Sequence, residues 1–269
     1  MTQLFVVLLS LLLCCVFADG AEAAATDRAL LSLFCAPKAI AGSTCKRAKS
    51  YPDAEGRRCD VKLSDQRHEG RFVASGHPLL IVSYGSACEA HVNNFGGSVL
   101  FEQTGAGYVF RGYQPGMLVD QCLIAGKAEG LDVLVCLVGG MGQGIVETGV
   151  ARVSFGGGGG EPIRMSYDFL LQAEDTTGAY VANVVTCSER LKYFDLSKLT
   201  AGSSPGTVVA AVSYADSETI ATACGKGFPK PKDAEELREL APGEAYVPEG
   251  YAKTGSVIID IESRTAKLR

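Results

Sequence analysis

An all-β fold of many short antiparallel strands, arranged as a propeller or a β-sandwich, is predicted by three observations on this 269-residue chain. Glycine is abundant, at 32 residues, and ten prolines add further breaks. Between these breakers lie short runs rich in Val, Ile, Leu, Tyr and Phe, the side chains that suit a pleated, half-buried surface. Helix signals, by contrast, are confined to two short stretches near the ends.

The chain opens with seventeen uncharged residues, and Leu4 to Phe17 is one apolar run followed by Ala18-Asp19-Gly20-Ala21. That run is short for a bilayer span and ends at small residues, which predicts a signal peptide over 1–25, cleaved near Ala18 to Ala25. No Lys or Arg precedes it, an unusual n-region. The reading makes the remaining chain, 26–269, a single all-β domain, secreted or periplasmic, with no membrane insertion after cleavage.

Removal of the leader takes Asp19 and Glu22 and no basic residue, leaving 25 basic against 28 acidic residues, a formal charge of −3. Such a balance speaks against a nucleic-acid partner, which needs clustered cations to displace phosphate counterions. The basic cluster Lys46-Arg47-Ala48-Lys49, with Arg57-Arg58 nearby, reads as a solvated face.

Export also sets the cysteine chemistry. Cys14 and Cys15 leave with the leader, and eight remain as disulfide candidates: Cys35, Cys45, Cys59, Cys88, Cys122, Cys136, Cys187 and Cys224. Eight cysteines allow about 105 connectivities. One pairing follows from hairpin geometry: if 118–124 and 132–138 pair across the Gly126 to Gly130 turn, Cys122 falls opposite Cys136. No metal site is expected, because there is no CxxC pair and only three histidines.

Thr26-Asp27 caps a short helix over Ala29 to Phe34, and 26–70 reads as a polar, disulfide-stapled loop region holding three of the eight cysteines. Strands are expected at 79–84, 98–103, 108–113, 117–124, 132–138, 145–155, 163–171, 179–186, 191–194, 207–214, 219–224 and 256–262. Val133 to Val138 has no polar face and belongs in the middle of the fold, whereas Val257, Ile259 and Ile261 alternate with Asp260 and Glu262 as a half-exposed strand does. Thr104-Gly105-Ala106-Gly107 suits a hairpin turn. Gly156 to Gly160 reads as a flexible loop, with a possible subdomain break at 156–162. Asp233 and Glu236 have capping-box spacing and Pro242-Gly243 a stop, predicting a short peripheral helix near 233–241.

Gly76, Gly130 and Gly178 each lie two or so residues ahead of an apolar strand, at intervals near 50 residues. That period suits propeller blades, and recurring buried strands in a Gly-rich protein give the same pattern.

No nucleophile elbow, P-loop, EF-hand or zincin helix is present. Gly139-Gly140-Met141-Gly142-Gln143-Gly144 is followed by a strand pattern and reads as a turn rather than a phosphate cradle. The most site-like stretch runs from Cys88 to Gly97, where Glu89, His91, Asn93 and Asn94 put a carboxylate, an imidazole and two amides beside glycines, and these four are the expected binding residues. An aromatic sugar platform would have to come from Tyr84, Tyr108 and Tyr113, since the chain has no tryptophan. No catalytic residue and no cofactor is assigned. The expected function is binding or surface interaction, with a protein or carbohydrate partner. A hydrolase acting on an extracellular polymer and a purely structural envelope protein are the alternatives.

Overall fold

The computed structural model describes residues 26–48, 59–74, 77–86, 96–142, 144–158, 161–181, 185–187, 191–225 and 252–269. It is an all-β protein with 66% of the described residues in strands, two antiparallel sheets, one of them a half-barrel, and a few short helices. Neither sheet divides into the four-stranded blades that the glycine spacing suggested.

The first sheet is a six-stranded meander: β1 (Ile40–Ala41), β2 (Thr44–Ala48), β3 (Cys59–Gly70), β4 (Leu79–Ser86), β5 (Gly96–Thr104) and β6 (Gly107–Pro115). The second contains β7 (Cys122–Ala128), β8 (Leu131–Gly142), β9 (Ile145–Gly158), β10 (Glu161–Asp175), β11 (Tyr193–Ala201), β12 (Thr207–Ala215), β13 (Lys253–Asp260) and β14 (Thr265–Leu268), again in sequence order. Among the described residues three α-helices accompany them, α1 (Asp27–Ser32), α2 (Thr177–Val181) and α3 (Ser217–Gly225), with a 3-10 turn at Pro37–Ala39.

Period-2 alternation of buried side chains builds three apolar layers. On one face of the first sheet Leu80, Val82, Tyr84, Val99 and Phe101 pack with Leu30 and Leu31 of α1. The other face presents Leu79, Ile81 and Leu100 to Leu134, Cys136, Val153 and Ile163 of the second sheet. The opposite face of the second sheet folds on itself, with Val133, Val135 and Val150 against Val208, Ala210, Val257 and Ile259. Strand β8 thus has apolar neighbours on both sides, as its unbroken hydrophobic run predicts. Tyr84, Tyr108 and Tyr113 belong to or pack on the first layer rather than forming a sugar platform.

Four expectations are corrected. Residues 26–70 are stapled by Cys35–Cys45, but they also contain β1 to β3, where Cys59, Val61 and Leu63 are buried while Lys62 faces solvent. The expected strand 117–124 starts only at Cys122. The stretch before it crosses between the sheets, held by side chains: Val119 N–H donates to Ser83 Oγ at 2.9 Å, His68 Nε2–H to Val119 O at 2.8 Å, and Tyr167 OH to Leu118 O at 2.7 Å. Of the residues expected as strands at 179–186 and 219–224, 179–181 lie in α2 and 219–224 in α3, while 182–184 lie outside the described residues. For α3 the cap decides, since Asp216 Oδ1 accepts from Thr219 N–H at 2.7 Å.

The Thr104–Gly107 turn closes β5 and β6 as expected. The β7–β8 hairpin turns at Glu129-Gly130, both with positive φ, the geometry of a tight two-residue reverse turn. Gly156 to Gly158 lie within β9, and Gly158 pairs with Glu161. The expected helix near 233–241 and the leader lie outside the described residues. Among the described residues no helix is long and apolar enough to cross a membrane.

Candidate functional site

Glu89, His91, Asn93 and Asn94, and with them Cys88, lie outside the described residues. The strands that carry this segment are described: β4 ends at Ser86 and β5 begins at Gly96, paired through Gly85 and Gly96. Gly96 is packed so closely that a Cβ would come within 1.9 Å of Tyr84 O.

Among the described residues the cysteines are brought together in three pairs, Cys35–Cys45, Cys122–Cys136 and Cys187–Cys224, and Cys59 is disulfide-bonded as well. Cys122 sits directly across from Cys136 in the β7–β8 ladder, the pairing that hairpin geometry predicts.

A cleft lies elsewhere, where the second sheet nearly splits. Strand β10 pairs with β9 along its length but with β11 through one register pair, Asp175↔Tyr193, beside which Thr176 N–H donates to Lys192 O at 2.9 Å. Beyond that bridge β11 leaves β10 and crosses over the folded layer. Leu196 N–H goes to the Thr148 hydroxyl of β9 at 3.2 Å, and a bulge between Leu196 and Lys198 bends the strand. The divergence opens a cleft of about 1080 Å³. One wall is β10, with Tyr167, Phe169, Gln172 and Glu174; the other is Leu191 to Phe194 with Ile220 of α3; the floor is the glycine-rich end of β8 with Glu147 of β9.

Phe169 is unusual for a large apolar side chain in being 41% exposed. Its ring lies over Gly149, where a Cβ would meet it at 2.8 Å. Glu147 and Glu174 are directly opposite across β9 and β10, and Lys192 Nζ reaches Glu174 Oε2 at 2.6 Å. One of the two carboxylates is thus neutralised, and Glu147 has no ion pair among the described residues.

Behind the bridge is a buried polar group. Asp175 is 3% exposed, and its Oδ1 accepts from the backbone N–H of Thr177 at 2.8 Å and from its hydroxyl at 2.6 Å. Burial holds the Asp175 carboxyl above the usual carboxylate range, against the Thr177 hydrogen bonds, and the charge of Asp195 adds to the rise. Burial raises Asp195 too, opposed by Thr148 and the Leu196 backbone. Tyr193 is pushed up by burial, with a hydrogen bond from Ser213 opposing and both aspartates adding. The chemistry available is recognition by aromatic surface, carboxylate, amide and free main-chain edge. Among the described residues no cluster of His, Cys, Asp or Glu is suited to a metal ion.

The sequence gives no signal that Tyr167, Phe169, Gln172 and Lys192 share a cleft. Only the polar positions Glu147 and Glu174, inside otherwise strand-like runs, mark the place. No family model, curated protein or solved structure matches this chain.

Proposed function

We propose that residues 26–269 form an exported interaction module, secreted or periplasmic, that takes its ligand in the cleft between β10 and β11. The observation that carries this reading is the cleft itself, walled by an exposed aromatic ring and by a strand that pairs with β9 along its length but with β11 at one register pair only. Support for export comes from the apolar leader and from the oxidised cysteines, which persist outside reducing compartments. The disulfides and layered core give the cleft rigid walls, which lowers the entropy lost on binding.

One observation favours a second reading, hydrolysis of a polymer. Glu147 and Glu174 are cross-strand neighbours in the cleft, and two closely spaced carboxylates can divide acid and base roles.

Amide chemical-shift mapping of the exported protein against panels of glycans and peptides tests both readings. A ligand that perturbs Phe169, Gln172 and Lys192, and is lost in Phe169→Ser, supports the interaction module. Turnover of a polymer that disappears in Glu147→Gln or Glu174→Gln would transfer the chain to the hydrolases. Silence toward every class would leave a structural envelope role.

A further inference from the structure

The open edge of β10 has a defined phase. Gln114 on β6 addresses Ile163 O and Met165 N–H, and Arg264, between β13 and β14, donates to Phe169 O at 3.0 Å, so the odd-numbered residues from 163 to 169 direct their main chain away from β9. The bulge between Phe169 and Leu171 shifts the phase by one residue. Even-numbered residues then face outward, in agreement with the Thr176 N–H bond to Lys192 O. Among the described residues no strand is laddered to this side of β10 at Tyr167 or Gln172, since β11 pairs with it only at Asp175↔Tyr193.

A strand edge in this condition is a template for another strand. Two side chains already answer parts of it: the Gln114 amide copies a strand's donor and acceptor, and Arg264 takes a carbonyl while holding Asp168 through two nitrogens at 2.7 and 2.8 Å. The groups without a ladder partner are main-chain donors and acceptors on either side of the Phe169–Leu171 bulge, which the main chain of an extended peptide can answer and a sugar cannot repeat. Glu147 supplies the charge to be answered, since Lys192 is engaged by Glu174.

Resting on the reading of this chain as an interaction module, we propose that β10 receives an extended segment of a partner protein as an added strand, with a basic side chain of that segment set against Glu147. The added strand occupies the place that β11 vacates beyond Tyr193. Phe169 and Tyr167 flank alternate side chains of the incoming segment, and the glycines of β8 leave room for them.

The experiment has two arms, both on the full mature protein. In the first, hydrogen exchange is followed by NMR. The Tyr167 and Gln172 amides should exchange far faster than those of Val150 and Ala151 inside the sheet, and equal protection would overturn the proposal. In the second, a random heptapeptide phage library is panned on the protein. Enriched sequences should be rich in β-branched residues with a Lys or Arg at one position, and the synthetic peptide should slow exchange at Tyr167 and Gln172. N-methylation of the peptide amides facing β10 should weaken binding about tenfold, while methylation of the alternate amides should not. Glu147→Gln should weaken the basic peptide about threefold and leave its norleucine analogue unchanged. Failure to enrich peptides, or binding indifferent to N-methylation, overturns strand addition. A glycan that maps to the cleft while peptides fail would leave the interaction module standing; no ligand of either kind would remove both.

Discussion

The side-chain amide of Gln114 pairs with the backbone of Met165 as a strand would: Oε1 accepts the Met165 N–H at 3.0 Å, and Nε2 donates to Ile163 O at 3.0 Å. Ile163 and Met165 are only 3% and 7% exposed, so water cannot easily replace this partner. The contact also joins β6 of one sheet to β10 of the other. Gln114→Ala leaves a buried donor and a buried acceptor unmet and should cost about 2–4 kcal/mol. Gln114→Glu, when protonated, can still accept from Met165 N–H and donate to Ile163 O, so it should cost less at acidic pH than at neutral pH, where the ionised carboxylate faces the Ile163 carbonyl. Urea unfolding of both variants measures this; a Gln114→Ala protein as stable as the parent would show that the amide is dispensable.

Much of the architecture was legible because it rests on local rules. Val133 to Val138 announces a strand covered on both faces, and Thr26 caps α1 through the Ala29 N–H at 3.3 Å. The misread segments show where local rules stop. Residues 179–186 have strand-like composition, but Asp175 turns the chain through Thr177 and starts α2. In β3 the buried positions Cys59, Val61 and Leu63 alternate correctly, yet the charged residues around them mask the period. The cleft was illegible for a further reason: it exists because β11 abandons β10 for the Thr148 hydroxyl, a choice made between residues 48 positions apart.

The Cys122–Cys136 bridge joins two residues already opposed in the β7–β8 ladder, with a sequence separation of 14. A loop of that size gives about 3 kcal/mol in the chain-entropy account, and the preformed hairpin turn should reduce it. The double variant Cys122→Ala with Cys136→Ala is therefore expected to lose about 2–3 kcal/mol of stability in chemical denaturation. Cys136 is fully buried, so Cys136→Ser, which adds a hydroxyl there, should be worse than Cys136→Ala in the same Cys122→Ala background. Equal stability of the two would argue against the apolar surroundings described for this site.

Disulfide mapping provides a separate check. Cys59 is oxidised, and Val61 pairs with Ser86 in the β3–β4 ladder. By that register the position opposite Cys59 would be 88, and Cys88 is the one cysteine of residues 26–269 outside the pairs described and Cys59 itself, so Cys88 is the expected partner. Peptide mass mapping without reduction should recover a Cys59–Cys88 fragment beside the three pairs already described. A free thiol at Cys88 would break the register argument.

The bridge between β10 and β11 should respond to pH in a direction fixed by burial. Asp175 and Asp195 have carboxyls raised above their ordinary value of 3.8, so in the folded protein they hold protons that the unfolded chain releases. Between the ordinary and the raised values the native state binds more protons, and stability falls as pH rises. Their contribution is therefore complete below about 3.8 and is lost as pH climbs through the folded values. Asp60 and Asp260, lowered by hydrogen bonds, act in the opposite sense, which makes the comparison with a variant necessary. Asp195→Asn keeps an oxygen for Thr148 and removes the titration. Relative to the parent it should gain thermal stability as pH rises from 4 to 7.5, while a constant offset across that range would show that Asp195 does not titrate there.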